Sequence, residues 1–128
     1  MEIKNERSSW LLLALRRIRK RPGMYLRDDR INSLACYVDG AIYGLENVGM
    51  KNTDEEVFLS AFGEWLGIRL GRKHDDCWFY LMMCLPQRSG HVEDFYRELD
   101  IYLRECGFEH GLDDERIEMK GWRPRGEG

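Results

Sequence analysis

The chain has 128 residues, of which 43% are hydrophobic and 34% are charged, and this composition excludes a disordered chain while allowing one buried core. Its formal net charge of −3 provides no global attraction to nucleic acid or to an anionic membrane. No stretch reaches the roughly 20 apolar residues of a membrane-spanning helix, and no secretory signal pattern is present, which favours a soluble cytoplasmic protein. We expect a single domain over residues 1–128 in which 1–7 and 123–128 are mobile.

The first predicted helix is capped by Ser8 or Ser9 and ends before a Pro-Gly pair. Leu11, Leu15 and Ile18 recur along it at helical spacing and form its apolar stripe.

A sharp turn is predicted at Pro22 and Gly23, because proline fixes φ and glycine accepts the positive φ that the third position of a type II turn requires. The residues that follow, Met24 to Leu26, are an apolar run too short for a helix. We therefore expect this run to be buried beneath the neighbouring helices.

The second predicted helix has the clearest periodicity in the chain and is capped by Asp28 or Asp29. Its apolar stripe comprises Ile31, Leu34, Ala35, Val38, Ala41, Ile42 and Leu45. Gly40 and Gly44 share one face, and such costly mid-helix glycines predict the close approach of another backbone. Gly49 is a helix stop.

Three further helices are predicted. Thr53 and Glu56 form a capping box ahead of an aromatic-rich helix. A short helix opens at residues 74–76 and is ended by Pro86, and a fifth, capped by Ser89, is closed by Gly107. The predicted fold is all-α, a compact array of about five helices with a C-terminal tail anchored by Ile117 and Trp122. The predicted core comprises Leu15, Ile18, Met24, Leu34, Val38, Ile42, Phe62, Trp65, Trp78, Leu81, Phe95, Leu99 and Leu103.

Catalytic and metal-binding patterns are weak. The four cysteines, Cys36, Cys77, Cys84 and Cys106, contain no C-x-x-C pair and are interpreted as buried free thiols. His74 with Cys77 and Cys84 is a remote zinc alternative that lacks a fourth ligand. We expect no enzymatic activity, no cofactor and no metal, because no activated nucleophile or phosphate-binding loop is recognisable.

Charge is strongly segregated. Residues 16–30 hold seven Lys or Arg against two Asp, a local charge of +5, and residues 91–115 hold nine acids against two Arg, a local charge of −7. The acids are predicted to lie on an exposed helix face and the loop after it, where they can bind a basic partner. The predicted partner-binding residues are Glu93, Asp94, Glu98, Asp100, Glu105, Glu109, Asp113, Asp114 and Glu115. The basic segment 16–30 leaves a nucleic-acid-binding module as an alternative.

Residues 15–26, Leu-Arg-Arg-Ile-Arg-Lys-Arg-Pro-Gly-Met-Tyr-Leu, resemble the Lys-Arg-Pro-Gly-Met-Tyr-Ile-Gly segment near the start of gyrase-type ATPase domains. The Asn-bearing helix and the glycine-rich ATP-binding motifs of those domains are not found in the sequence. A GHKL-like ATPase-related fragment is therefore a further alternative, carried by about a dozen residues.

A longer stretch, about residues 12–103, resembles a family of small helical bacterial proteins, some of which look like immunity proteins of polymorphic toxin systems. The matching elements, in chain order, are the Arg-Pro-x-Met-Tyr-Leu turn at Arg21 to Leu26, Leu34 with Gly40, Phe62 to Trp65, Trp78, and Phe95 to Asp100. Arg27 stands where the family usually has glycine. The resemblance implies a cytoplasmic immunity protein that neutralises a cognate protein toxin by occluding it. A nuclease is one candidate for the toxin. Membrane and nucleic acid are not expected as partners.

Overall fold

The computed structural model describes residues 9–50, 53–72, 77–82 and 90–122. Within these ranges the chain is mostly helical and contains no strand, so the predicted all-α class is confirmed. The elements are α1 (Trp10–Lys20), α2 (Pro22–Tyr25), α3 (Ile31–Asn47), α4 (Asp54–Arg69), α5 (Trp78–Met82), α6 (Val92–Glu105) and a short 3-10 helix (Gly111–Asp113).

Local capping chemistry sets several helix ends as predicted, but the predicted cap of α3 at Asp28 or Asp29 is wrong, because Arg30 is the N-cap and makes no side-chain capping bond. The Ser9 hydroxyl accepts hydrogen bonds from the backbone N–H groups of Leu11 and Leu12, and Thr53 with Glu56 forms the reciprocal capping box. Gly49 and Gly107 have positive φ immediately after α3 and α6. Beyond each glycine the next N–H bonds back to a carbonyl five residues earlier, which satisfies helix-end acceptors: Met50 to Leu45 and Phe108 to Leu103.

Helix α6 lies at the centre of the core. It packs against α3, α4 and the 3-10 helix, while α4 also packs against α5 and α1 against the 3-10 helix. Aromatic rings join α4 to α6 through edge contacts of Phe62 with Phe95 and a tilted contact of Trp65 with Tyr102. Ile117 is buried and Trp122 packs on Phe58 with ring centroids 4.8 Å apart, so the predicted anchoring of the tail is confirmed.

Three residues of the predicted core are not fully buried. Met24 is 66% exposed, and Ile42 and Trp65 are only partly buried against the core. Ile42 lies beyond the last buried position of α3, Val38. Trp65 remains at the margin because its indole N–H donates to the exposed Glu105 carboxylate, 3.1 Å away. The other ten predicted core residues are buried: Leu15, Ile18, Leu34, Val38, Phe62, Trp78, Leu81, Phe95, Leu99 and Leu103.

The predicted type II turn is wrong. Pro22 opens α2, a single helical turn in which Gly23 continues the helix instead of adopting positive φ. Proline suits the first position of a helix, since its missing N–H has no partner there. The restarted helix directs Met24 and Tyr25 toward solvent, and only Leu26 of the predicted buried run is buried.

The second half of α3 has an exposed face that the sequence pattern did not predict. From residue 39 to the end of the helix no side chain is buried, and Tyr43 is well exposed. Apart from the adjacent residues and the helix's own backbone, no described atom lies within 4 Å of the position that a Cβ would occupy at Gly40 or Gly44. The expected close approach of another backbone is therefore not found within the part of the chain that the structure describes.

Some predictions fall outside the described residues. These are the start of the fourth helix at residues 74–76, its end at Pro86, the cap at Ser89, the thiol of Cys84 and the mobile ends at 1–7 and 123–128. A search of the described helices for one long and apolar enough to cross a membrane finds none.

Candidate functional site

Four of the nine predicted partner-binding acids are buried, which corrects the expectation that they form an exposed face. Asp94, Glu98, Asp100 and Asp114 expose between 1% and 7% of their surface. Carboxylates are rarely buried without partners, because desolvation of the charge is costly. Each of these four is paired with an arginine.

Helix α6 is held to α1 and α4 by two of these pairs. The Asp100 carboxylate accepts hydrogen bonds from both terminal nitrogens of Arg19, the shorter at 2.6 Å, and Glu98 accepts from Arg69 Nε at 2.7 Å. The hydrogen bonds to Asp100 raise the pKa of Arg19, against the opposing effect of its partial burial. These acids therefore join helices, and a docking partner cannot reach them.

The loop after α6 is organised by Asp100 and Asp114. The backbone N–H of Leu112 donates to Asp100 at 2.8 Å, and Arg16 on α1 donates to the carbonyls of Leu112 and Asp114. Asp114 accepts two hydrogen bonds from the Arg116 side chain and two more from the backbone N–H groups of Arg116 and His110. The Arg116 side chain is the main cause that holds the pKa of Asp114 well below its usual range.

The other five predicted acids are exposed and lie at the two ends of α6. Glu93 is near its N-terminal end. The remaining four, Glu105, Glu109, Asp113 and Glu115, lie at its C-terminal end or in the loop that follows. The sequence pattern predicted the charge of this region correctly but not which carboxylates face solvent, because α6 is covered on several sides instead of one.

A shallow groove lies beside this second group of acids. It has a volume of about 490 Å³, and we call it the tail groove; its lining residues are Glu105, Cys106, Phe108, Arg116, Glu118, Lys120, Gly121 and Trp122. Phe108 and Trp122 are half-buried and stacked, with ring centroids 6.1 Å apart. Trp122 is fixed in turn by its edge contact with the buried Phe58. The groove therefore joins rigid aromatic surface to exposed carboxylates.

A cleft of about 470 Å³ lies at the opposite end of α6, between that helix and the α1–α2 junction. Its walls are formed by Arg19, Pro22, Asp29, His91, Val92, Glu93, Tyr96, Arg97 and Asp100. Its charged groups are largely engaged with one another, since His91 Nδ1 lies 3.0 Å from Asp29 and Arg19 pairs with Asp100. The Tyr96 hydroxyl donates to the Leu15 carbonyl, and burial raises the pKa of Tyr96 despite the nearby Arg19 guanidinium.

A third surface, which we call the turn surface, surrounds the α1–α2 junction. It consists of Arg17, Lys20, Arg21, Met24, Tyr25 and Arg27, all of them exposed. The basic run is evident in the sequence, but the exposure of Met24 and Tyr25 is not, because a short non-periodic run carries no signal for the direction of its side chains.

The arrangement offers little for metal or thiol chemistry. Cys36 and Cys77 are exposed free thiols and Cys106 is half-buried, which corrects the expectation that all the cysteines are buried. Within residues 9–50, 53–72, 77–82 and 90–122, no three His, Cys, Asp or Glu side chains converge closely enough to hold a metal ion.

Comparison with models of known protein families, with curated proteins and with solved structures finds no match to this chain.

Proposed function

We propose that this protein binds and neutralises a cognate bacterial protein toxin by occlusion, and that the toxin contacts the tail groove. The observation that carries the proposal is the combination of half-buried aromatic rings, Phe108 and Trp122, with the carboxylates of Glu105 and Glu118 in one groove. Aromatic anchors ringed by polar groups are typical of the energetic centres of protein interfaces. The resemblance of residues 12–103 to proteins that look like immunity proteins supports the partner class.

The acids around the groove favour a basic partner, although its own lining balances Glu105 and Glu118 with Arg116 and Lys120. The acidic excess comes from Glu109, Asp113 and Glu115, which are exposed on the loop between α6 and the groove residues 116–122. A nuclease presents Lys and Arg to its nucleic-acid substrate, and carboxylates can occupy such a site in place of phosphates. Binding there would block the substrate without any chemistry on this protein's side.

The decisive experiment is co-expression of the protein with the product of the neighbouring open reading frame. We expect the two products to copurify and the protein to rescue growth of cells that express the neighbour. If the protein neither binds the neighbour nor rescues those cells, the proposed function is wrong.

The groove is tested separately by charge reversal. Replacing Glu109, Glu115 and Glu118 with Lys should slow association with the toxin by about tenfold or more at low salt, because rim charges act mainly on the association rate. The matched control reverses three acids that do not line the groove, Asp39 and Glu46 on α3 and Glu93 at the opposite end of α6. An equal effect of both triple variants, or no effect of either, would show that the toxin binds a different face.

A further inference from the structure

We propose that the turn surface is a second docking surface, which binds an acidic protein segment carrying one apolar side chain. It is distinct from the tail groove in position and opposite to it in charge. The proposal goes beyond toxin neutralisation and does not depend on it.

The first observation is that this surface exposes apolar groups that the fold does not use. Met24 is 66% exposed and Tyr25 is 38% exposed, and α2 contains no buried residue at all. Arg21 Nη1 lies 3.8 Å from the Met24 sulfur, so the apolar and basic groups form one continuous patch. A flexible, polarisable methionine beside an aromatic ring is common at protein-binding surfaces.

The second observation is that the cations of this surface lack carboxylate partners within the described chain. Arg17 and Lys20 lie at i and i+3 on one face of α1, and Arg21, which ends the helix, donates its N–H to the Arg17 carbonyl. No described carboxylate is within ion-pair distance, 4.0 Å, of these three residues or of Arg27. Arg19, on another face of the same helix, is by contrast fully engaged with Asp100.

The nearby acids offset only part of the patch: Asp28 interacts electrostatically with Arg27, but its hydrogen bonds hold it at the start of α3, away from ion-pair contact with Arg17, Lys20 and Arg21. Asp28 accepts hydrogen bonds from the Ser33 hydroxyl at 2.6 Å and from the Arg30 N–H at 3.0 Å. These bonds lower the pKa of Asp28 and keep it anionic where it stands. Asp29 is paired with His91 across the bridge that joins residues 30 and 91. Charge complementarity therefore selects an acidic occupant for the turn surface.

The composition of the patch favours a protein segment over other anions. Arg, Met and Tyr are the residues enriched at protein interfaces, and they make up all of this surface except Lys20. A single strand of nucleic acid is usually held by several stacking rings, whereas Tyr25 presents only part of one. An anionic membrane binds a wider apolar face than one methionine.

The two docking surfaces can act independently. The cleft that borders Pro22 also borders Val92 at the start of α6, whereas the tail groove begins at Glu105 at its end. A helix of 14 residues is about 21 Å long, so the two surfaces lie near opposite ends of α6.

The experiment uses the full chain and a short fluorescent peptide of glutamates with one central phenylalanine, with binding followed by anisotropy. An all-glutamate peptide is the reference probe. We expect saturable binding that weakens with salt and a preference for the phenylalanine peptide. Arg21→Glu should weaken binding of both peptides by about tenfold or more, whereas Arg104→Glu, a matched exposed arginine on α6, should leave it nearly unchanged.

Met24→Gln supplies a second test, since this exposed side chain can be changed without touching the core. It should abolish the preference for phenylalanine while leaving the all-glutamate peptide unaffected. Absence of saturable peptide binding by the wild-type chain, or equal loss with Arg104→Glu, would overturn the proposal. Tighter binding of a short single-stranded DNA or of phosphatidylserine vesicles than of the phenylalanine peptide would overturn it as well.

Discussion

Asp100 accepts hydrogen bonds from three nitrogens on two different elements, so it joins α6 to both α1 and the 3-10 helix. A buried acceptor that loses a partner keeps the cost of its own desolvation. Breaking the Arg19–Asp100 pair should therefore be costly mainly because it leaves the buried Asp100 carboxylate without its cation.

We expect Arg19→Met to lower the free energy of unfolding by about 1–3 kcal/mol, because the buried Asp100 carboxylate loses its cation and two of the three hydrogen bonds described for it. Urea denaturation measures the change. Arg17→Met makes the same substitution on the exposed side of α1 and should stay within about 0.5 kcal/mol of the wild type. Similar values for the two variants would show that the ion pair is not a structural link.

Asp114 predicts how stability depends on acidity. Hydrogen bonds from the Arg116 side chain, with two backbone N–H groups, lower its pKa in the folded protein below the usual value of 3.8. The unfolded chain therefore binds the proton more tightly, and the stabilisation is present above about pH 4 and is lost as the pH falls.

The corresponding measurement is the free energy of unfolding between about pH 5 and pH 3 for the wild type and for Asp114→Asn. The variant should be less stable near neutral pH and should show a shallower decline in acid. Glu115→Gln, at the exposed neighbouring position, should retain the wild-type pH dependence. An unchanged decline in Asp114→Asn would show that other carboxylates cause it.

At the scale of secondary-structure elements, the sequence predicted what local chemistry decides. Ser9, the Thr53–Glu56 box and the stops at Gly49 and Gly107 were found where expected, because each depends on backbone groups within a few residues. The prediction of a type II turn after α1 was wrong for an equally local reason. The φ of Pro22 fits both a type II turn and the first position of a helix, and only ψ, which proline does not fix, separates them.

The loop after α6 depends on a glycine that the sequence reasoning did not identify. Gly111 has φ +61°, and a Cβ there would collide with the Asp100 carboxylate. Both the positive φ at this position and the lack of room for a Cβ beside Asp100 therefore require glycine. The sequence could not show this, because the contact joins residues eleven apart across a change of element.

Gly111→Ala should destabilise the protein by more than the roughly 1–2 kcal/mol cost of left-handed backbone alone, since Asp100 must also move away from Arg19 and Leu112. Gly121→Ala is the matched variant, with φ +70° and no described atom near its Cβ position. We expect it to show only the backbone cost in urea denaturation. Equal losses would mean that the Asp100 contact is dispensable.

At the scale of the whole molecule, the apolar stripe of α6 correctly predicted which of its residues lie in the core, whereas its charged residues did not predict which side chains are exposed. Periodicity identified Phe95, Leu99 and Leu103 correctly, because any packing of this helix buries its stripe. Which flanking carboxylates are buried depends on where Arg19 and Arg69 arrive from α1 and α4. That information is tertiary, so the candidate site could be predicted in sign and region but not residue by residue.

Leu99 is fully buried at the centre of this arrangement, and Leu99→Ala should cost about 2–5 kcal/mol of unfolding free energy through lost burial and a residual cavity. Ile68→Ala, at a position that is 75% exposed, should stay within about 0.5 kcal/mol. Far-UV circular dichroism should show a helical spectrum for both. A small effect at Leu99 would remove α6 from the centre of the core.

The hydrogen bonds of Arg16 also bear on the order in which the protein can be made. Its guanidinium is synthesised 96 residues before the Leu112 carbonyl and 98 residues before the Asp114 carbonyl that it binds. A nascent chain that has just completed α6 already carries every α-helix described above, yet its first helix still lacks these acceptors and the Leu112 N–H that supports Asp100. A chain released at that point would contain the helical segments but not the loop that Arg16 and Asp100 bind. We expect such a chain to be recognised by chaperones and proteases.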